Sequence, residues 1–161
     1  MNIPNFFSVL RIVSIPLFII LLSYDKHLYA LVIFCIAALT DALDGFFARV
    51  FNQKTVLGSY LDPIADKFLL VSSFVSLALM GFIPKWLTIL VVSRDVIISM
   101  GIFLLSLNLF QIEIKPTIVS KCTTFFQALA IAVTLLFHIL VKTSSVLEII
   151  YWITGALTIA S

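Results

Sequence analysis

Six apolar stretches, each near the length that crosses a bilayer, make up most of this chain, and short polar breaks separate them. A helix needs about 20 residues to span the hydrocarbon core. The stretches predict helices over 6–24, 28–50, 62–82, 85–107, 116–141 and 145–161. The breaks hold turn and polar residues: Ser23 to Lys26, Asn52 to Lys54, Gly81 with Pro84, Glu113 with Lys115 and Pro116, and Lys142 to Ser144. Pro116 suits the first turn of a helix. Mean hydropathy is +1.22, far above that of a soluble domain of this size. The expected fold is therefore an all-α, polytopic transmembrane bundle of six helices in one domain, 1–161. The sequence shows no soluble domain, long linker or internal repeat. Met1 to Phe7 lacks a basic leader region, so the first apolar segment is expected to stay as a membrane helix. The last segment stops at Ser161 and is short for a span.

Charge sets the expected orientation. With six spans, one membrane face receives Arg11, Arg49, Lys54, Lys67, Lys115 and Lys121, and the other receives Lys26, Lys85 and Lys142. The positive-inside bias then puts both termini in the cytoplasm, in an inner (cytoplasmic) membrane. A net charge of +2 with no basic run gives no sign of a nucleic-acid partner. Cys35 and Cys122 stand alone in apolar stretches and read as packing residues, not as a disulfide or a metal pair.

Against this background the acids are distributed unevenly. Asp41, Asp44, Asp62 and Asp66 are half of the eight Asp and Glu residues. One ionised Asp near the bilayer centre costs roughly 2.5–3.5 kcal/mol, so four imply on the order of 10 kcal/mol unless something neutralises them. Two divalent cations would do so. Asp41 and Asp44 are three apart, hence on one helix face, which Gly45 and Ala48 share as a smooth groove. Asp62 and Asp66 are four apart at the expected start of the next helix. The short connection between them predicts antiparallel neighbours with two facing acidic pairs. An all-oxygen, carboxylate-rich site suits Mg²⁺, Mn²⁺ or Ca²⁺, and Mg²⁺ commonly shares its shell with substrate phosphates. Two such ions would polarise a phosphoryl group and stabilise the attacking and leaving oxygens.

The full stretch reads Asp41-x2-Asp44-Gly45-x2-Ala48-Arg49-x8-Gly58-x3-Asp62-x3-Asp66. It resembles the signature of the CDP-alcohol phosphatidyltransferase family and matches it at every fixed position. The resemblance implies a membrane enzyme that moves a phosphatidyl group from CDP-diacylglycerol to a polar alcohol and releases CMP. It implies two Mg²⁺ ions on Asp41, Asp44, Asp62 and Asp66, with Asp66 also acting as general base. It implies that Gly45, Ala48 and Gly58 make room for the cytidine nucleotide and that Arg49 meets a phosphate or locks the acidic cluster. A homodimer is a further implication. The opening run, with Asn5, Ser8 and Arg11, looks like that of the phosphatidylglycerophosphate synthase and cardiolipin synthase branch, so Asn5 and Arg11 are candidates to face the nucleotide. A helix cap and an interfacial anchor are the plainer readings of the same two residues.

The acceptor is written less sharply. Arg94 and Asp95 fall in the middle of the fourth stretch, where an arginine is a functional candidate by default. Neighbouring helix residues point about 100° apart, so the two are not expected to pair. Arg94 is the candidate ligand of an acceptor phosphate, and a packing ion pair is the plainer reading. Ser120, Thr123, Thr124 and Gln127 form a polar stripe at helical spacing. Lys121 beside it is a second candidate for the acceptor phosphate, against snorkelling to the headgroups. Lys67 could neutralise the acids, and His27 and His138 receive no role. Glycerol 3-phosphate is the favoured acceptor, giving phosphatidylglycerophosphate; phosphatidylglycerol, giving cardiolipin, is the alternative. An intramembrane prenyltransferase and a divalent-cation transporter are the remote alternatives.

Overall fold

The computed structural model describes the backbone over 3–51, 56–107, 118–140 and 145–161, and side chains over 10–40, 66–101, 119–140 and 145–161. Every regular element in it is helical: α1 Ile3–Ser23, α2 His27–Phe51, α3 Val56–Leu79, α4 Lys85–Leu107, α5 Ile118–Ile139 and α6 Ser145–Ala160. The six expected helices are present, and the bounds of α4 coincide with the sequence reading. The main difference is the front of α3, which begins at Val56 and not at Asp62. Residues 56–61 carry apolar side chains at helical spacing, so they extend the helix forward. Gly58 then sits in its first turn, and Asp62 and Asp66 fall in its second and third.

Two helix ends on the same side of the bundle close alike. Asp25 takes φ 56° and Gly81 takes φ 78°. The amide of Lys26 donates to the Leu21 carbonyl (2.9 Å), and that of Phe82 to the Leu77 carbonyl (2.9 Å). Each is a six-residue closure around a left-handed residue, a position that favours glycine and tolerates aspartate. The sequence breaks at these points are therefore sharp reversals.

The helices pack as a closed ring: α1 on α3, α3 on α4, α4 on α6, α6 on α5, α5 on α2, and α2 back on α1, with α3 also touching α5 across the middle. Among the described residues α1 packs more closely on α2 and on α3 than those two pack on each other. The acid-bearing faces that were expected to meet across α2 and α3 lie outside the described side chains.

The bundle is chemically polarised along its axis. One half is an apolar plug of Phe18, Leu22, Phe34, Phe74, Leu77 and Leu135, all 2% exposed or less. The other half buries Arg11, Thr40, Asp95, Thr123, Gln127 and Thr158. Most of the interior hydroxyls donate one turn back within their own helix, as Ser73 does to the Leu69 carbonyl (2.7 Å). Others reach across: Thr123 donates to the Leu157 carbonyl (3.1 Å), and Tyr151 donates to the Phe82 carbonyl (3.1 Å) and shares a 2.9 Å hydrogen bond with Thr134, tying α6 to the α3–α4 turn and to α5. The outer surface is aliphatic, with Leu79, Ile89, Ile97 and Ile159 each at least 66% exposed. Among the described residues one segment, Val119–Ile139, is by itself long and apolar enough to cross a membrane, while Leu10–Ser23, His27–Thr40 and Ser145–Ala160 are apolar but shorter.

The α4–α6 seam depends on one glycine. A Cβ at Gly155 would stand 2.9 Å from Trp86 Cζ3 and 3.2 Å from Cη2. The indole packs at a tilt on Trp152, ring centroids 5.1 Å apart, so a retreat would also disturb that contact. Gly155→Val should therefore destabilise the bundle by about 1–3 kcal/mol through overpacking. Thermal melting in detergent checks this; a midpoint equal to wild type would contradict the close seam.

Candidate active site

Helix register brings the candidate residues to one level. In the antiparallel pair α1 and α2, Phe18 and Phe34 rings are 5.9 Å apart. Seven residues further toward the polar end of each helix lie Arg11 (18 − 7) and Asp41 (34 + 7). On the α3 side, Arg11 Nη1 is 4.0 Å from an Asp66 carboxylate oxygen. Positions 11, 41 and 66 thus share one layer, with α1 packed on both acid-bearing helices. Arg11 is 1% exposed and Asp66 30%, so the guanidinium is enclosed while the carboxylate keeps an open edge. An enclosed guanidinium needs an anion beside it, which accounts for Arg11 better than an interfacial anchor does.

The backbone puts Asp41, Asp44, Gly45, Ala48 and Arg49 on α2, Gly58 and Asp62 on α3, and Asn5 on α1. Their side chains lie outside the described residues, so of the four expected carboxylates only that of Asp66 is described. At this layer the described donor is the Asp66 carboxylate, an oxygen of the kind a hard divalent ion takes, and among the described residues no three His, Cys, Asp or Glu side chains gather. Softer ligands stand elsewhere: Cys122 is exposed, and His27 and His138 meet at the opposite end of the bundle with rings 5.2 Å apart.

A second polar cluster adjoins the first through Lys67. Its ammonium donates to Ser99 Oγ on α4 (3.0 Å) and lies in electrostatic reach of Asp95 and Arg94. Arg94 and Asp95 do pair, at 2.7 Å, contrary to the expectation from their 100° separation. The long arginine side chain wraps round the helix to reach its neighbour. Its other terminal nitrogen donates to Ser120 Oγ on α5 (2.9 Å) and to Ser161 Oγ just beyond α6. One guanidinium therefore joins three helices. Its Nε is buried with no partner among the described residues. Arg94 also lines an open groove of about 290 Å³ between α4 and α6, where Leu90, Ile97, Ile98 and Ile159 meet Ser93, Thr158 and Ser161. Lys121 is exposed, one residue past Ser120.

Two participants are not apparent from the sequence as site residues: Ser99 and Ser161. Each acts through a partner on another helix, and no local spacing announces that. Gln127 is visible in the sequence only as part of a stripe; in the bundle it is 0% exposed.

The chain matches the CDP-alcohol phosphatidyltransferase family over residues 1–160. It is 34% identical to the human cardiolipin synthase (CMP-forming), over 99% of this chain and 58% of that protein. It is 34% identical to a probable phosphatidylglycerophosphate synthase of Mycobacterium tuberculosis, over 81% of this chain and 64% of that protein. With the CDP-diacylglycerol–glycerol-3-phosphate 3-phosphatidyltransferase of Aquifex aeolicus identity is 38%, over 81% of this chain and 74% of that protein. The chain thus spans 58% of the length of the human cardiolipin synthase it matches. A signature complete at every fixed position, on a ring of six helices that brings positions 11, 41 and 66 to one layer, agrees with these likenesses: the chain belongs to the CDP-alcohol phosphatidyltransferase family.

Proposed function

We propose that this chain is a polytopic enzyme of the inner (cytoplasmic) membrane, moving a phosphatidyl group from CDP-diacylglycerol to a glycerol-type alcohol with release of CMP. The observation that carries the reading is the Asp41-to-Asp66 signature, whose last acid stands beside an enclosed arginine in the polar half of the bundle. The inside-out chemistry supports the membrane setting: the interior holds charge and hydroxyls while the surface is aliphatic.

In this reading Asp41, Asp44, Asp62 and Asp66 hold two Mg²⁺ ions, for which Mn²⁺ can substitute. Those ions would supply charge stabilisation for the phosphates. Gly45, Ala48 and Gly58 leave space for the cytidine nucleotide, with Asn5 and Arg49 at its edges. Asp66 takes the proton of the acceptor hydroxyl. That oxygen forms a bond to the lipid-linked phosphorus, and the bond from that phosphorus to CMP breaks. The chemistry needs positioning and charge stabilisation rather than a protein nucleophile. Arg11 fixes the Asp66 carboxylate from behind, leaving its open edge for the acceptor.

Arg94, with Lys121 nearer the surface, is the acceptor-phosphate ligand. Glycerol 3-phosphate fits this role as a small phosphate-bearing alcohol. One observation favours phosphatidylglycerol as a second reading: the open groove that Arg94 lines has aliphatic side chains along it, which suit an acyl chain. Purified protein with CDP-diacylglycerol and Mg²⁺, given each alcohol in turn, separates the two by which one releases CMP. Release with neither would overturn the phosphatidyltransferase reading.

Asp66→Asn should lower transfer about 100-fold or more while the protein still folds, in line with loss of a general base; most of the wild-type rate surviving would remove Asp66 from that role. Arg94→Ala, made together with Asp95→Asn so that no acid is left buried alone, should raise KM for the phosphate-bearing acceptor about tenfold and leave KM for CDP-diacylglycerol nearly unchanged. An equal rise in both would contradict the acceptor assignment.

A further inference from the structure

In the polar half of the bundle each arginine has its acid: Arg11 meets Asp66 at 4.0 Å, and Arg94 meets Asp95 at 2.7 Å. Lys67 is left over. Its ammonium donates to a neutral hydroxyl, Ser99 Oγ (3.0 Å), and among the described residues it forms no ion pair. Asp95 attracts it from a distance, but that carboxylate is already held by Arg94, whose own charge repels the lysine. Lys67 is half-buried and lies eleven residues past Val56 (67 − 56), about 16 Å along α3. A cation at that depth with only a hydroxyl for company is costly unless an anion reaches it.

The place of that anion follows from the two neighbours. Asp66 and Lys67 are consecutive, so their side chains leave α3 about 100° apart. Asp66 turns to Arg11 on α1, and Lys67 turns to Ser99 on α4. The lysine stem is flexible, and the Ser99 hydroxyl keeps its ammonium on the α4 side, where it does not close on the Asp66 carboxylate. Asp66 is 30% exposed. A small molecule on its open edge therefore has a fixed positive charge one residue away. A glycerol carrying a free hydroxyl at one end and a phosphate at the other matches that pair of neighbours. Glycerol 3-phosphate and phosphatidylglycerol both have this arrangement, one as a phosphate monoester and the other as a diester.

We propose that Lys67 is a specificity-determining residue for the acceptor: its ammonium, placed by Ser99, pairs with the phosphate of a glycerol phosphate whose free hydroxyl stands at Asp66. The proposal rests on the acceptor reading given above and adds to Arg94 a second cation, from α3. An ammonium has three protons to donate, so one can stay on Ser99 while another meets the phosphate. Neutral polyols offer nothing to this charge, which is how the site tells them from a glycerol phosphate.

The test uses the purified full chain in detergent with CDP-diacylglycerol and Mg²⁺, given glycerol 3-phosphate or phosphatidylglycerol, and follows CMP release. Lys67→Gln should raise KM for the acceptor about tenfold or more, change kcat far less, and leave KM for CDP-diacylglycerol nearly unchanged. A rise seen with glycerol 3-phosphate identifies the ligand as a free phosphate, and one seen with phosphatidylglycerol as a lipid headgroup. Lys67→Arg, which keeps the charge, should lie nearer wild type than Lys67→Gln does. Ser99→Ala, at an exposed position, should raise the same KM about fivefold through loss of one hydrogen bond, and Ser99→Thr should restore it. An acceptor KM unchanged in Lys67→Gln, or a donor KM that rises equally, overturns the proposal. If Lys67→Gln melts well below wild type, Ser99→Ala carries the test, and an acceptor KM equal to wild type in that variant overturns it. A wild-type protein that releases CMP with neither acceptor overturns the phosphatidyltransferase reading itself, before any variant is compared.

Discussion

A guanidinium 1% exposed inside a helical bundle has to be answered by an acid, and Arg11 meets Asp66 at 4.0 Å. That contact lies where α1 packs against α3, and α1 also packs against α2. The contact explains why the bundle is divided along its axis. Phenylalanines and leucines fill the half away from Arg11 and hold the helices together, so the half around Arg11 can be given over to polar groups.

The polar half holds two linked clusters. Arg11 and Asp66 form one; Arg94, Asp95, Ser120 and Ser161 form the other, and Lys67 stands between them. In the proposed reading this division is functional, with the donor's phosphates on the first and the acceptor's on the second. A transfer reaction needs two substrates brought to one phosphorus. Two neighbouring clusters on adjacent helices provide that without any moving domain.

Much of this was legible in the chain, and what was not has identifiable physical causes. Helix positions follow from apolar length and from breaks such as Gly81 and Pro84, which is why Lys85–Leu107 was read to the residue. The early start of α3 was missed because a break rich in polar residues hides where apolar spacing resumes. The Asp41-to-Asp66 spacing carries the family in full, since fixed gaps along helices become fixed faces. Contacts between helices are a different matter. The packing of α1 on both α2 and α3, the Lys67–Ser99 bond and the reach of Arg94 to Ser120 join residues many positions apart, and no local pattern encodes them. Arg94 pairs with Asp95, the plainer of its two sequence readings, because an arginine side chain is long enough to bridge the 100° between neighbouring helix positions. The meeting of His27 with His138 could not be read at all, because it depends on the register between α2 and α5.

The central claim is that the layer at Arg11 and Asp66 is completed by a pair of divalent ions shared between α2 and α3. Electron paramagnetic resonance of Mn²⁺ bound to the purified chain tests it directly. The account predicts two Mn²⁺ per chain, close enough to be spin-coupled, with the coupled signal lost in Asp66→Asn. A chain that binds no Mn²⁺, or one isolated ion untouched by Asp66→Asn, would contradict it.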